Sequence, residues 1–562
     1  MKLSPDEELK PLNRRKLLHW LGVAGVGTGV FHKALATHAV EVGDVTGEMV
    51  QQAEWIAGIE LTEQQRIETA AGLRGLMKDL DAMRKVDVGY DTWPSLSLVL
   101  KPTKGPLPEY PLRVVSDNKD LKPKPDTDAD IAFLSITEQS RLLRTGQISS
   151  QELTEIYLNR MKKLDPVLKF VVNLTETLAM DQAKKVDRTR GRLGEWHPLR
   201  GIPWGAKDLI SYPGYPTTWG APQFKDRELK SKATVAEKLD RVGAVLVAKL
   251  ALGALAMGDQ WYGGPTKNPW NPEQGSSGSS AGSASATAAG CVGFSIGSET
   301  LGSIMSPSRR CGATGLRPTF GRVSRQGCMA LSWSMDKLGP ICRSAEDCAL
   351  VFQAIHGADQ GDPASVDREF QWPVKVNLKQ IRVGYVDDGR SLAEREILQV
   401  LKSRGCKLVE IQLPDDLPTW PLATILYAEA ASQFDPLTRA GIEQGLNSWP
   451  ALFRRAEFIP AVDYLRALRI RSKMQDAMRD LMETVDVFVN GGRDEAVITN
   501  LTGHPAIAMP SGFQQRNEVL QPQSVQLTGR LYDETTLLAV AQAFQNETDY
   551  HRQRPPCGEP TD

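Results

Sequence analysis

A stretch rich in glycine and serine, Gly275–Pro318, contains the side chains best suited to nucleophilic chemistry in this chain. It opens with a Gly/Ser run and reaches a separate serine, Ser303, which stands between Gly302 and Ile304. Gly/Ser runs are often solvated linkers. Here the run passes directly into apolar sequence, which is typical of a helix followed by a buried strand. We therefore expect a closely packed backbone whose hydroxyl groups have polar partners.

A nucleophilic serine requires a base, and the histidines of this chain are poor candidates. A hydroxyl group is a weak nucleophile at neutral pH unless a base lies within hydrogen-bond reach. The chain has seven histidines, and neither His197, in an expected loop, nor His504, before Pro505, has the surroundings of a base. A lysine kept neutral by burial is the alternative. Lys207 follows a run of uncharged residues, and its local sequence fits either a buried base or an ordinary surface lysine.

Composition and motif content exclude several classes of function. The chain contains no HExxH or CxxC motif, so we expect no metal site and no cofactor. Its seven cysteines, scattered from Cys291 to Cys557, are an odd number and predict buried free thiols rather than a disulfide framework. With a net charge of −1 and no basic excess, the chain is not expected to bind nucleic acid.

Residues 1–36 have the pattern of an export signal. Arg14 and Arg15 precede a weakly apolar run, and Ala34-Leu35-Ala36 offers a small-x-small cleavage site. This arrangement is typical of a twin-arginine signal. The apolar run is too short to form a stable membrane anchor. We therefore predict a periplasmic or extracytoplasmic protein that is exported in folded form, with a cytosolic basic helix as the alternative interpretation.

The rest of the chain divides into regions of different pattern. Residues 46–88 predict helix, with a capping box at Thr62 and Gln65, and a proline-rich arm follows. From Ile131 onward, apolar runs alternate with helical stretches. The expected regions are the signal (1–36), an N-terminal helical segment and arm (37–130), the main domain (131–552) and a C-terminal tail (553–562).

The main domain shows strand-like apolar runs between helical stretches. A capping box at Ser149 and Glu152 marks the start of one of its helices. Alternation of this kind argues for an α/β fold around a mostly parallel or mixed sheet. The expected strands are Phe170–Val172, Ala244–Ala248, Ile381–Val386, Leu408–Leu413, Val485–Val489 and Ile507–Met509.

Several segments together resemble the amidase signature family of serine hydrolases. The likeness runs from about Ile131 to His551, with the motifs in the family's order. It implies a central mixed, mostly parallel twisted sheet flanked by helices on both faces. The matching segments are GIPWGAKD (201–208), TKNPWNP (266–272), SGSSAGSASATAAG (277–290), GSETLGSIMSP (297–307), CGATGLRPTFGRVS (311–324), MDKLGPICRSAEDCAL (335–350), NLTGHPAIAMPSGF (500–513) and SVQLTGRLYDETTLLAVAQAFQ (524–545).

The resemblance implies a Ser–cis-Ser–Lys triad. Ser303 matches the nucleophile, Ser279 matches the bridging serine that follows a cis peptide bond, and Lys207 matches the base. The implied reaction is the hydrolysis of a carboxylic amide, in a small molecule or a peptide, without a cofactor. The oxyanion hole that the resemblance implies consists of the backbone N–H groups of Thr300, Leu301, Gly302 and Ser303.

Departures from the family pattern fall close to the nucleophile. Leu301 stands where the family has the first of two glycines, and we expect it to reshape the acyl pocket. Glu299 and Met305 replace the usual Asp and Arg. We therefore expect the acid–Arg contact that braces this loop to be absent, or to be supplied by Arg309 or Arg310. The glycines around the bridging serine are partly replaced, by Ser277 and Ala281.

Three functions stay open on these residues. The first is an exported amidase that forms an acyl-enzyme on Ser303. The second is the A-type (glutaminase) subunit of an amidotransferase, which works in a partner complex on aminoacyl-tRNA; the predicted signal argues against it, because tRNA charging is cytosolic. The third is a catalytically inactive amidase-fold binding protein, suggested by Leu301 and Met305. The oligomeric state is open, with a homodimer among the alternatives.

Overall fold

The structure is a computed structural model that describes residues 45–87, 123–191, 196–386, 392–490 and 493–557. The predicted signal (1–36), most of the proline-rich arm and residues 558–562 lie outside the described residues. The chain divides into two compact units, Met1–Lys78 and Asp79–Asp562. Across the described ranges, no helix combines the length and the apolar character that crossing a membrane requires.

The N-terminal part of the chain forms two helices, α1 (Gly47–Ala57) and α2 (Glu63–Arg84). The predicted capping box is present at the start of α2, because the backbone N–H of Thr62 donates to the Gln65 side chain at 2.8 Å and that of Gln65 donates to the Thr62 hydroxyl at 3.3 Å. These bonds satisfy N–H groups that the helix itself leaves unpaired. The helical pattern predicted over 46–88 is confirmed.

Helices and strands alternate through the larger unit. Its helices are α3 (Asp128–Phe133), α4 (Ile136–Thr145), α5 (Ser150–Leu168), α6 (Glu176–Arg188), α7 (Thr234–Val242), α8 (Ala281–Ala288), α9 (Met305–Cys311), α10 (Ala345–Ile355), α11 (Leu392–Ser403), α12 (Thr424–Arg439), α13 (Trp449–Ala456), α14 (Ala461–Thr484), α15 (Arg493–Leu501) and α16 (Glu534–Glu547). Its strands are β1 (Val171–Leu174), β2 (Pro203–Lys207), β3 (Val245–Leu250), β4 (Gln260–Trp261), β5 (Gly264–Pro265), β6 (Lys267–Asn268), β7 (Asn271–Gly275), β8 (Phe294–Glu299), β9 (Thr314–Arg317), β10 (Lys337–Cys342), β11 (Arg382–Tyr385), β12 (Lys407–Glu410), β13 (Val487–Asn490), β14 (Ala506–Arg516) and β15 (Val519–Gly529). Short 3-10 turns lie at Pro222–Phe224, Ala254–Ala256, Leu378–Gln380, Trp420–Ala423 and Tyr550–Arg552.

The elements predicted from the sequence are found close to their expected positions. Each of the six predicted apolar runs overlaps a strand, which confirms the α/β pattern. The predicted capping box at Ser149 and Glu152 is also present at the start of α5, with hydrogen bonds of 2.7 and 3.0 Å.

An eleven-stranded mixed sheet, in the order β1-β3-β2-β8-β10-β9-β14-β15-β13-β11-β12, forms the centre of the larger unit and is flanked by helices. The mixed sheet is therefore as expected. Its parallel pairs, however, are confined to two places: β2 with β3 and β8, and β11 with β12 and β13. The other neighbours are antiparallel. One cause is local, because Asn517 and Glu518 join β14 to β15 in a tight turn with positive φ angles of 48° and 64°, and strands joined this way run antiparallel.

The Gly/Ser run leads directly into a buried helix and is not a linker. All eight residues of α8 are buried, and the helix lies against the backbone of neighbouring segments. A Cβ atom on Gly282 would lie 2.6 Å from the backbone nitrogen of Ala251 and 2.6 Å from the backbone oxygen of Phe170. Only small side chains permit this approach. The composition that suggested a flexible linker is therefore the composition that close packing requires.

Candidate active site

Lys207 lies at the end of β2, where it meets a group of serine side chains. β2 runs parallel to β8, so the ends of both strands reach the same edge of the sheet. The Lys207 ammonium nitrogen, Nζ, is 2.8 Å from the Ser279 hydroxyl oxygen, 3.0 Å from that of Ser280 and 2.8 Å from that of Ser298. It also donates to the backbone oxygen of Ser298 at 3.3 Å.

Burial controls the charge of Lys207. The side chain is fully buried and forms no ion pair with any described residue. Burial lowers the pKa of Lys207 to about 7, against the opposing attraction of the Asp336 and Glu299 carboxylates. At neutral pH a large share of this lysine is therefore neutral and able to accept a proton.

Ser279 is held at Lys207 by an unusual backbone. The peptide bond between Gly278 and Ser279 is cis, as the resemblance implied. Gly278 passes so close to Gly258 that a Cβ atom would lie 1.8 Å from the Gly258 carbonyl oxygen. A side chain at position 278 would therefore displace the segment that carries the bridging serine.

Ser303 lies on the loop between β8 and α9, next to the Ser279–Ser280 segment. Its backbone oxygen accepts a hydrogen bond from the Ser280 N–H at 3.1 Å. The residue is only partly buried, and its hydroxyl makes no hydrogen bond to another described residue. The structure thus brings Lys207 and Ser279 into direct contact and fixes the Ser303 backbone beside them. A free, accessible hydroxyl in this position can approach a carbonyl group.

The loop that precedes Ser303 presents unused backbone donors. Within the described residues, the N–H groups of Thr300, Leu301, Gly302 and Ser303 donate to no protein acceptor. Gly302 has a φ of 102°, a conformation that favours glycine. Leu301 does not have a positive φ, so a side chain is tolerated where the family has glycine. Donors fixed in this way can stabilise an oxyanion by about 2.7–4 kcal/mol each.

Glu299, the last residue of β8, holds this loop in place through hydrogen bonds to the backbone that follows Ser303. One of its carboxylate oxygens accepts the backbone N–H groups of Ile304 at 2.8 Å and Met305 at 2.9 Å. The other accepts the Arg317 guanidinium at 2.7 Å and the Asn500 amide at 2.9 Å. Both Glu299 and Arg317 have fully buried side chains.

The bracing acid–Arg contact is therefore replaced rather than absent, but the prediction that Arg309 or Arg310 supplies it is wrong. Arg317, on β9, supplies it. The longer Glu side chain replaces Asp and reaches this guanidinium across the sheet. Burial alone would raise the pKa of Glu299, but the charges of Arg317 and Lys337 lower it to about 2. The carboxylate is therefore ionised at neutral pH.

A second carboxyl group, that of Asp336, holds the Thr300 side chain at the start of the oxyanion loop. The Thr300 hydroxyl donates to Asp336 at 2.5 Å. The other oxygen of Asp336 accepts the backbone N–H groups of Leu331 at 2.7 Å and Ser332 at 2.9 Å. Burial raises the pKa of Asp336. The loop is thus attached at both ends, at Thr300 through Asp336 and after Ser303 through Glu299.

Reasoning from the sequence missed several members of this site. Each is a polar residue within a segment that carries the family resemblance, which is the only signal that could have found it. Their contacts depend on which strands become neighbours, and the sequence does not give that order. The missed residues are Ser280, Ser298, Arg317, Asp336 and Asn500.

The remaining candidate residues lie outside the proton-transfer chemistry. The seven cysteines are free thiols and five of them are buried, as predicted. His504 is buried and hydrogen-bonds the Thr502 hydroxyl at 2.8 Å, and burial lowers its pKa to about 3. Across the described ranges, no cluster of three His, Cys, Asp or Glu side chains is placed to hold a metal ion.

The larger unit thus combines a large mixed sheet with a buried lysine, two serines and a loop of backbone donors, which is the arrangement expected of a serine hydrolase with a lysine base. A family model described as Amidase matches residues 152–490. The chain belongs to this family, whose members hydrolyse C–N bonds of amides. The family assignment and the α/β fold with a large mixed sheet flanked by helices are therefore confirmed, but the sheet is not mostly parallel as the resemblance implied.

Named relatives include both kinds of enzyme considered above. The A-type subunit of glutamyl-tRNA(Gln) amidotransferase from Coxiella burnetii (strain Dugway 5J108-111) is 33% identical over 484 residues, which cover 75% of this chain and 99% of that protein. The solved peptide amidase of Stenotrophomonas maltophilia has a TM-score of 0.65 and 26% identity, with 76% of this chain and 99% of that chain covered. The solved A-type subunit of glutamyl-tRNA(Gln) amidotransferase from Thermotoga maritima has a TM-score of 0.62 and 26% identity, with 76% and 98% covered.

Proposed function

We propose that this protein cleaves the C–N bond of a carboxylic amide through an acyl-enzyme on Ser303. The observation that carries the proposal is the buried Lys207, whose Nζ atom lies 2.8 Å from the Ser279 hydroxyl beside the Ser303 loop. A neutral amine in this position can draw a proton from Ser303 by way of Ser279. A purely structural lysine at this depth is normally paired with a carboxylate.

The steps follow from this arrangement. The Ser303 oxygen attacks the amide carbonyl, and its proton passes through Ser279 to Lys207. The carbonyl oxygen becomes an oxyanion, which the N–H groups of residues 300–303 stabilise. The C–N bond then breaks, and the proton stored on Lys207 returns through Ser279 to the leaving amine. Water attacks the resulting ester by the same route and releases the acid.

The leading candidate is a stand-alone amidase that is exported in folded form. The twin-arginine pattern of residues 1–36 and the additional N-terminal segment support it. The peptide amidase among the structural neighbours supports activity on small amides or peptides. Replacement of Arg14 and Arg15 by lysine tests export, because it should retain the protein in the cytoplasm of a host with a twin-arginine pathway. Unchanged export would contradict this route.

The second candidate is an amidotransferase A-type subunit that releases ammonia from glutamine. The names of the curated relatives support it better than the stand-alone amidase, since this chain aligns with 99% of the Coxiella burnetii protein. In that case the partners would be the other subunits of an amidotransferase. An inactive binding protein is less favoured than either, because the Lys207–Ser279 contact is intact.

One experiment separates these candidates. The full chain is purified from its native host and assayed for ammonia or amine release from glutamine and from a panel of peptide, aryl and aliphatic amides. A stand-alone amidase hydrolyses members of the panel as a single polypeptide. An amidotransferase subunit copurifies with partner chains and prefers glutamine. A folded protein that hydrolyses none of these compounds contradicts the enzyme assignment.

A further inference from the structure

A cavity of about 780 Å³ opens beside the oxyanion loop. Leu301 and Gly302, the two residues before the nucleophile, border it, and so does Met305. The opposite wall comes from the β14–β15 hairpin and includes Arg516 and Gln526. A group bound in this cavity is therefore next to the place where an amide carbonyl would react.

The arginines of this cavity are not neutralised equally. Arg309 faces the carboxylates of Glu394 and Glu495. Arg310, in contrast, donates to the neutral amide oxygen of Gln274 at 3.1 Å. Arg516 donates to the amide oxygen of Gln514 at 3.4 and 3.3 Å.

Neither Arg310 nor Arg516 forms an ion pair with a described residue. Both guanidinium groups line the cavity and keep donors for a further acceptor. An amide oxygen carries no net charge, so it leaves the positive charge of each arginine uncompensated. These two arginines give the cavity a cationic wall, while the Glu394 carboxylate, which also lines the cavity, faces Arg309.

Gln526 adds a polar side chain to the same wall of the cavity. Its side chain is 4% exposed and lines the cavity. Its amide nitrogen is buried without a hydrogen-bond partner. An unpaired buried donor costs about 1–3 kcal/mol, and nearly all such donors in proteins have a partner. The nitrogen itself has almost no accessible surface, so it meets an acceptor in the cavity when the amide group turns over and exchanges the positions of its oxygen and nitrogen.

We infer that this cavity binds a carboxylate carried by the substrate, so that the enzyme prefers amides with a negatively charged end. Carboxylate oxygens match the planar donor fork of an arginine and accept an amide N–H equally well. Arg310 is the sixth residue of α9 and lies about 7.5 Å along the helix axis from Met305, where the helix begins just after the nucleophile. This distance suits an anionic group several bonds away from the reacting carbonyl. The inference rests on the proposed amide hydrolysis for its kinetic consequence, but not for binding.

Direct binding tests the site without catalysis. Adipate is titrated by calorimetry into the Ser303→Ala variant of the full chain at low ionic strength. We expect saturable binding that weakens at least about tenfold in Arg310→Gln or Arg516→Gln, the loss expected for one charge-assisted hydrogen bond. Arg479→Gln is the matched control, because Arg479 lies on α14 and pairs with Asp476 and Asp480. It should bind adipate as well as the parent.

Gln526→Leu distinguishes a ligand site from a structural role. The substitution removes an unpaired buried donor and keeps a similar volume, so the unfolding temperature should stay the same or rise. Adipate affinity should fall. If Gln526→Leu does not fold, the adipate affinities of the two arginine variants alone decide whether the cavity binds a carboxylate. Unchanged affinity in Gln526→Leu and in both arginine variants overturns the inference.

Kinetics with a matched pair of amides connects the site to function. Adipamate and hexanamide differ only in a terminal carboxylate. We expect a higher kcat/KM for adipamate, and a ratio that falls at least about tenfold in Arg310→Gln or Arg516→Gln. Equal ratios in parent and variants overturn the inference. Adipate binding without hydrolysis of either amide contradicts the proposed function and supports the anion site.

Discussion

Two fully buried lysines lie on neighbouring strands of the sheet in opposite electrostatic surroundings. Lys249, on β3, is 2.7 Å from the Asp208 carboxylate and also donates to Thr217 and to the backbone of Pro216. Lys207, on β2, meets only serine hydroxyls and one carbonyl oxygen. A paired lysine keeps its charge and joins segments, whereas an unpaired one can lose its proton. Within this pair, both lysines are buried, and the one without a carboxylate partner is the one that can act as a base.

On the oxyanion side of the site, the buried charged group has a partner of opposite charge. Glu299 is as buried as Lys207, yet its charge is matched by Arg317 at 2.7 Å. Its task is to hold two backbone N–H groups in place, which requires a permanent carboxylate. The site thus combines one group of adjustable charge with one of fixed charge. Each prediction below changes one of these environments.

The largest effects are expected from replacing each of the two lysines separately by methionine. Lys207→Met should lower kcat at least about 10³-fold, because the base is lost, while the unfolding temperature is maintained. Lys249→Met should lower the free energy of unfolding by about 3–5 kcal/mol, because Asp208 is left buried and unpaired. Steady-state kinetics and denaturant unfolding measure both. A Lys207→Met variant that retains turnover would contradict the assignment.

Glu299→Gln should damage both the fold and the reaction. Arg317 would be buried without its carboxylate, at a cost of about 3–5 kcal/mol. The Ile304 and Met305 amides would lose a charged acceptor, and we expect kcat to fall about 10²-fold as the loop loosens. Glu299→Asp separates charge from reach, since it keeps the carboxylate but places it on a shorter side chain. If Glu299→Gln matches the parent in both assays, Glu299 does not brace the loop.

The pH dependence should follow Lys207. Since its pKa is about 7 and the neutral form accepts the proton, kcat/KM should rise tenfold per pH unit below about 7 and level off above it. Between about 7 and the ordinary lysine value of 10.5, the unfolded chain binds a proton that the native state lacks. The free energy of unfolding should therefore rise with pH across this window.

The Lys207→Met variant is the control for the rise in the free energy of unfolding with pH. It has no amine to titrate, so this contribution to the pH dependence of unfolding should vanish. An acidic limb that stays at the same pH in a variant lacking Lys207 would assign the limb to another group.

The smallest effect is expected from Ser298→Ala. The Ser298 hydroxyl accepts a hydrogen bond from Lys207 at 2.8 Å, which favours the charged amine. Its removal should move the acidic limb of the kcat/KM profile to lower pH and reduce kcat by less than about tenfold. Ser285→Ala, in α8, is a control, because the Ser285 hydroxyl donates to the backbone oxygen of Lys267 and does not contact Lys207. A limb that does not move would show that Ser298 leaves the base unaffected.

The three catalytic candidates could be predicted because each lies in a segment that carries the family resemblance. Lys207 ends an uncharged run, Ser279 lies in the Gly/Ser run, and Ser303 is isolated between Gly302 and Ile304. The helices and strands were also accessible, since capping boxes and apolar runs are local signals. These features depend on neighbours in the chain.

The bracing contacts could not be predicted in the same way. Arg317 reaches Glu299 only because β9 and β8 both pair with β10, and Asn500 reaches it from a distant helix. Arg309 and Arg310 were favoured because they are near in sequence, but they lie on the cavity side of α9. The proportion of parallel strands was overestimated for a related reason, because the pairing of distant strands decides it.

Covalent labelling tests the central claim most directly. A serine-directed fluorophosphonate is reacted with the folded full chain at pH 8, and the modified peptide is identified by mass spectrometry. We expect stoichiometric label on Ser303, no label in Ser303→Ala and strongly slowed labelling in Lys207→Met. A folded parent protein that takes up no label, or takes it up on a different serine, would contradict the Ser303–Ser279–Lys207 mechanism.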